Sequence, residues 1–247
     1  MTERELFETL REKLMYLAEE HGLMDKEINV NCRALTPEEA IGIQEKKDVP
    51  ILMGKEVMIQ AESDGGIGQA FTSAPSYFEG TLRDVLNLDI IDNDYDRSVF
   101  VASLNAVSRR CGVCDRSIHC KDKGPIECAE KAVVFLKENY RDDIRIVQIG
   151  YQPFLLEQLS QNYSNLRVLD LNLDNVGDIR YGVEVMDGIK DYDETVAWAE
   201  LILCTGSTLS NGTIVNFLEL DKDVLFYGTT AAGAAALMGW KRLCYAD

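Results

Sequence analysis

The chain has 247 residues, 46% of them hydrophobic and 27% charged, and a formal net charge of −17. That length suits one large globular domain or two small ones. The negative charge repels phosphate backbones, which argues against a nucleic-acid partner, and no apolar run approaches the length of a membrane span.

Thr2 to Glu20 reads as an amphipathic helix. Leu6, Leu10, Leu14 and Leu17 fall on one face, Thr2 and Glu5 form a capping box, and Gly22 is a stop. His21 beside that stop reads as a solvated cation and not as a ligand. Glu27 to Leu35 alternates as a strand, with Cys32 as a small core residue. Thr36-Pro37-Glu38-Glu39 is a short helical start. Lys55 to Ala61 and Gly68 to Ser73 read as strands of a hairpin around Asp64-Gly65-Gly66-Ile67-Gly68. Helices follow at Thr81 to Leu88 and Arg97 to Arg109. The second is largely apolar, so Asn105 within it needs partners; a core hydrogen bond and a side chain aimed into a cleft are both open. Strands followed by helices describe an α+β lobe over residues 1–110.

Residues 111–139 form a cysteine-rich connection and a helix. Arg110 to Lys131 reads RCGVCDRSIHCKDKGPIECAEK and holds four of the seven cysteines and one of the two histidines. The spacing is Cys111-x2-Cys114-x5-Cys120-x7-Cys128, with His119 before the third thiol. Pro125 suits a first helical turn, so Ile126 to Tyr140 is a predicted helix carrying Cys128 at its start. Three readings stay open. Free buried thiols or disulfides are the first, disulfides being disfavoured because no recognisable secretory leader is present and a reducing cytoplasm is expected. The second is a tetrahedral zinc site, in which His119 is able to replace one thiol. The third is a [4Fe–4S] cluster on the four thiolates.

From residue 140 to 247 strands and helices alternate. Strands are expected at Asp143 to Gly150, Leu166 to Leu171, Leu201 to Cys204 and Asp223 to Tyr227. Helices are expected at Phe154 to Gln161, around Val196 and Trp198, at Ile214 to Leu220 and at Gly233 to Met238. This is the grammar of a parallel sheet covered on both faces, Rossmann-like but shorter than a full dinucleotide fold. Ligands of such sheets bind beyond the carboxyl ends of the strands. Those ends carry Gly150, Asp170, the run Thr205 to Thr213 (TGSTLSNGT), and Gly228-Thr229-Thr230. Asp170 lies where such folds place a ribose-binding acid, yet GxGxxG is absent, so no nucleotide is assigned. Ser207, Thr208, Asn211 and Thr213 are hydrogen-bonding candidates; Asn211 and Thr213 equally suit a helix cap. No histidine outside the cysteine segment and His21 is available for a Ser-His-Asp arrangement.

Six stretches resemble, in order, a domain family of unknown function named for heavy-metal chelation. They are GIGQAFTS (66–73), SLNA (103–106), VQIGYQP (147–153), VLDLN (168–172), CTGSTLSNGT (204–213) and YGTT (227–230). The resemblance implies an α/β fold in which an enolase N-terminal-like α+β lobe precedes a Rossmann-like lobe, with a ligand cleft between them. Carried over residue by residue, the cleft comprises Thr72, Asn105, Gly150, Asp170, Thr205, Ser207, Thr208, Asn211 and Thr229. This chain departs from the family where a Glu is usual and Asp170 stands, and where Thr229 follows the last glycine in place of a proline. The expectation is a metal-binding protein with a metal ion or a small-molecule metal complex as partner and Cys111, Cys114, Cys120 and Cys128 as ligands. An enzyme using the cleft and a nucleotide-binding module without chemistry are the alternatives, and a homo-oligomer stays open.

Overall fold

The computed structural model describes residues 1–31, 35–44, 46, 49–53 and 56–246. Helix α1 (Glu3–Glu20) opens with the expected capping box, Thr2 and Glu5 exchanging side-chain and backbone bonds. Strand β1 (Glu27–Asn31) follows, then α2 (Pro37–Ile41) with a second capping box on Thr36 and Glu39. Cys32 lies outside the described residues. Strands β2 (Val57–Ser63) and β3 (Gly66–Thr72) form the predicted hairpin, and the reversal is confined to Asp64 and Gly65, both at positive φ. The turn is shorter than expected, since Gly66 and Ile67 already belong to β3 ahead of the predicted strand start at Gly68. Strand β4 (Phe78–Thr81), absent from the expectations, completes an antiparallel sheet of order β3-β2-β1-β4.

Helices α3 (Leu82–Leu86) and α4 (Asp94–Arg110) come next. Helix α4 starts three residues earlier than its apolar pattern suggests, because the Asn93 side chain accepts from the amides of Tyr95 and Asp96. It lies flat on β3. A Cβ at Gly68 would sit 2.2 Å from the Ala106 nitrogen, and one at Gly66 2.3 Å from the Ala106 oxygen. Two glycines at strand period two therefore admit helix backbone against strand backbone.

The second sheet is built from β5 (Ile146–Ile149), β6 (Leu166–Asp170), β7 (Ile179–Arg180), β8 (Val183–Asp187), β9 (Leu201–Thr205), β10 (Asp223–Tyr227) and β11 (Arg242–Leu243). Its helices are α5 (Gly124–Asn139), α6 (Pro153–Asn162), α7 (Tyr192–Trp198), α8 (Ser207–Ser210) and α9 (Ala232–Met238). The strand order is β11-β10-β9-β5-β6-β8-β7, parallel except for the β7–β8 pair. Leaving out β7, this is the classic six-strand dinucleotide-fold order, so the expectation of a shortened sheet is corrected. The short edge strands β7 and β11, and β8 beside β7, escaped a reading based on apolar runs. The predicted helix over Ile214–Leu220 is replaced by the one-turn α8 and a 3₁₀ turn at Thr213–Phe217, since Gly212 at positive φ divides the segment.

The molecule is thus a two-lobe α/β structure with two separate sheets. The lobes share apolar packing: Leu10 and Leu14 of α1, Phe100 and Leu104 of α4, and Ile202 and Phe226 of the parallel sheet belong to one buried cluster. No helix among the described residues is long and apolar enough to cross a membrane.

Candidate functional site in the interlobe cavity

The order reversal of the parallel sheet falls between β5 and β9, where such folds open a crevice. Gly150 and Thr205 stand at this point. Gly150 is at φ +82°, and a Cβ there would lie 2.7 Å from Thr205 Cγ2, so both conformation and space require glycine. A cavity of about 530 Å³ opens above it. Its floor is the ends of β5, β6, β9 and β10; its roof is the end of β3; its side is the cysteine segment, the first turns of α5 and Leu243, Cys244 and Ala246.

Of the cleft residues expected from sequence, Thr72, Gly150, Asp170, Thr205, Ser207, Asn211 and Thr229 line this cavity. Two do not. Thr208 turns its hydroxyl back to the Thr205 carbonyl at 2.6 Å, beside Cys204. Asn105 is fully buried below the floor. Its amide nitrogen donates to the carbonyls of Gln69 (2.9 Å), Thr229 (3.3 Å) and Thr230 (2.9 Å), and its oxygen accepts from the Gly233 amide at 2.7 Å. It therefore ties β3, the 229–230 turn and the start of α9 together without meeting the cavity. Asn211 lines the wall while capping Thr213, whose amide and hydroxyl both donate to its Oδ1.

The four segment cysteines divide into two pairs. Cys111 ends α4, and the buried Cys114 points its thiol at the Asn105 carbonyl, 3.8 Å away. Cys120 and Cys128 line the cavity together with His119 and with Cys244 from the chain's far end. The Cys128 thiol interacts with those of both Cys120 and Cys244 and accepts from the Tyr245 amide at 3.4 Å. Among the described residues, no group of three or more His, Cys, Asp or Glu is arranged to hold a metal ion. The expected four-thiol set is thus not assembled, and the reason is local. The segment covers the open edge of β3: Gln69 donates its amide to the Ser117 carbonyl, and His119 donates its amide to the Gln69 side chain. The Arg242 guanidinium holds the carbonyls of Asp115 and Arg116. These bonds fix the loop between the two pairs and hold them apart.

The cavity's electrostatics come from residues that spacing did not single out. Glu56 lines the wall, and burial, aided by the negative charge of Asp170, pushes its carboxyl up to about 7. Glu56 has no hydrogen-bond partner among the described residues. Asp170 is also raised by burial, against the lowering effect of its bonds from the amides of Tyr151 and Asn172, both at 2.6 Å, and from Asn175. Burial lowers the His119 imidazole and favours its neutral form. The thiols of Cys128 and Cys244 are raised, the largest cause being their neighbouring thiols, Cys120 for the first and Cys128 for the second. Asp94 is paired with Arg97 at 2.9 Å. No Lys or Arg stands among the described lining residues. Glu56 carried no sequence signal beyond an ordinary charged residue before a strand.

Residues 133–239 match the model of the DUF364 family, described as "Putative heavy-metal chelation". The match covers the last four of the six stretches that carry the resemblance. A DUF364 protein of unknown function from Pyrococcus horikoshii shares the fold at TM-score 0.56 and 18% identity, over 92% of this chain and 80% of that one. A second DUF364 protein of unknown function, from Desulfitobacterium hafniense, gives TM-score 0.49 and 15% identity over 74% of this chain and 71% of its own. No curated protein matches the sequence.

Proposed function

We propose that this chain binds a thiophilic metal cation, carried as a small complex, in the cavity between its two sheets. One observation carries the reading. The wall sets three thiols and a neutral imidazole, Cys120, Cys128, Cys244 and His119, near two carboxyls, Glu56 and Asp170, with no described Lys or Arg to oppose them. Such a wall favours cationic cargo and disfavours phosphate-bearing ligands, which weighs against the nucleotide-binding alternative. Thiol and imidazole donors select soft and borderline metals. The donors are strung along the wall and form no single shell. A bare ion would have to draw them together, whereas a metal arriving with its own ligands needs only one or two exchanges. The raised Cys128 and Cys244 are protonated near neutrality, so metal capture releases protons. The description of the matching family agrees with this class of cargo.

The test is metal analysis of protein purified without oxygen, followed by equilibrium dialysis against Cd²⁺ with and without excess free cysteine as chelator. Binding of about one cadmium per chain is expected, better retained when the chelator is present. Cys128→Ser and Cys244→Ser should weaken it about tenfold or more, and Cys111→Ser should leave it unchanged. Iron with acid-labile sulfide, or a zinc ion lost on Cys111→Ser and kept on Cys244→Ser, would overturn this reading in favour of a site on Cys111, Cys114, Cys120 and Cys128.

A further inference from the structure

The strand-end half of the cavity contains polar groups that the thiol wall does not explain. Thr229 is 2% exposed and Ser210 5% exposed, both line the cavity, and the hydroxyl of each has no hydrogen-bond partner among the described residues. Native folds rarely leave such groups orphaned, because each costs its full desolvation. The same cavity is lined by Glu56 and Asp170, and the negative charge of Asp170 adds to the cost of ionising Glu56. Among the described lining residues, the other titratable groups do not offset them: Asp94 is taken by Arg97, and His119 favours its neutral form. The two hydroxyls each carry a donor and acceptor lone pairs, so with the two carboxyls the set is dominated by acceptors. Glu56 offers both oxygens, and each hydroxyl is able to accept.

An ammonium group donates three hydrogen bonds and carries one positive charge. It meets this set, whereas a carboxylate or phosphate would face like charge. A bare metal ion fits less well, since the described carboxyls are not gathered as metal ligands. The same cavity is also lined by the aromatic rings of Phe71, Tyr151 and Phe154. Such rings receive a short carbon body and favour a nearby cation.

We propose that Glu56, Asp170 and the hydroxyls of Thr229 and Ser210 form a subsite for the primary ammonium group of a small organic ligand whose carbon chain lies against Phe71 and Phe154. The inference rests on the interlobe cavity being the binding site. It specifies the cargo as a metal complex of an amine-bearing organic chelator, with thiols taking the metal and the strand ends taking the amine.

The experiment needs no metal. n-Butylamine, butan-1-ol and butyrate are titrated into the full chain by ligand-observed NMR, with the folding of each variant checked by thermal unfolding. The amine should bind at least about tenfold more tightly than either isostere. Glu56→Gln should weaken amine binding about tenfold and leave butan-1-ol unchanged. Thr229→Val, which removes a hydroxyl with no partner among the described residues, should weaken it about threefold and decides the matter if Glu56→Gln does not fold. Equal binding of butyrate and the amine, or unchanged amine affinity in both variants, would overturn the subsite. Cadmium capture that depends on Cys128 while amine binding ignores Glu56 sinks this inference alone. Amine binding that depends on Glu56 without any cadmium capture sinks the metal reading alone.

Discussion

Two buried polar regions meet at Thr229 and are built on opposite terms. Below the cavity floor, Asn105 spends its whole side-chain amide on protein: three carbonyls accept from its nitrogen and the Gly233 amide donates to its oxygen. Above the floor, the Thr229 and Ser210 hydroxyls and the Glu56 carboxyl have no hydrogen-bond partner among the described residues. Thr229 belongs to both regions, since its carbonyl accepts from Asn105 while its hydroxyl stands idle. A satisfied buried network rigidifies and positions; an unsatisfied one stores a cost that a ligand is able to relieve. The knot at Asn105 is thus scaffold, and the cavity above it is the place where binding energy is available.

The sharpest way to break this comparison is to cut the knot. Asn105→Ala leaves the buried Gln69 and Thr230 carbonyls and the Gly233 amide without their partner and opens a void beside Leu104 and Ser108. A loss of about 4 kcal/mol is expected in urea unfolding. The loss should be the same at pH 5 and pH 8, because none of the partners ionises. A loss below about 1 kcal/mol would mean that the lobes are held together by apolar packing alone.

The next effect is opposite in sign and depends on pH. Glu56 has its folded-state pKa raised to about 7 from 4.5, so the folded chain holds a proton that the unfolded chain releases. Stability is therefore full below the unfolded value, falls as pH rises from about 4.5 to 7, and levels off above. Asp170, raised by the same burial, acts in the same direction. Glu56→Gln stays neutral and escapes the loss. It should be more stable than the parent at pH 8 by up to about 3 kcal/mol, and the gap should close by pH 4. Urea unfolding of both proteins across that range measures it. A Glu56→Gln protein weaker than the parent at pH 8 would show that the carboxylate already has a partner.

What sequence disclosed of this arrangement was what is local. Capping boxes at Thr2 and Thr36, the Asp64-Gly65 reversal and the alternating strands of the second lobe all depend on residues a few positions apart. Asn105 was conspicuous as an amide in an apolar helix, and the hydrogen-bonded alternative proved to be its role. The grouping of thiols was not legible. Spacing joined Cys111 and Cys114 to Cys120 and Cys128, but loop bonds to the β3 edge and to Arg242 keep the pairs apart. Cys244, which completes the cavity's thiol wall, comes from a chain end that no spacing rule connects to α5. Glu56 was silent for the same reason: its pKa is set by burial and by Asp170, both supplied by the tertiary fold.

The smallest expected effect tests the comparison most directly. Thr229→Val exchanges a hydroxyl for a methyl of nearly the same volume, at a residue 2% exposed. At a satisfied buried threonine the change strands a partner and costs about 1–3 kcal/mol. Here the hydroxyl has no partner among the described residues to strand, and the backbone carbonyl that Asn105 holds is untouched. Removing an unsatisfied polar atom from the interior also removes its desolvation cost. Stability should then stay within about 0.5 kcal/mol of the parent or rise slightly, measured by urea unfolding at a pH where Glu56 is protonated, so that the carboxyl does not confuse the result. A loss of more than about 1 kcal/mol would place the hydroxyl with Asn105 among the groups that hold the fold. An unchanged or raised stability, beside the large loss at Asn105, would locate the boundary between scaffold and binding site within this single residue, between its carbonyl and its side chain.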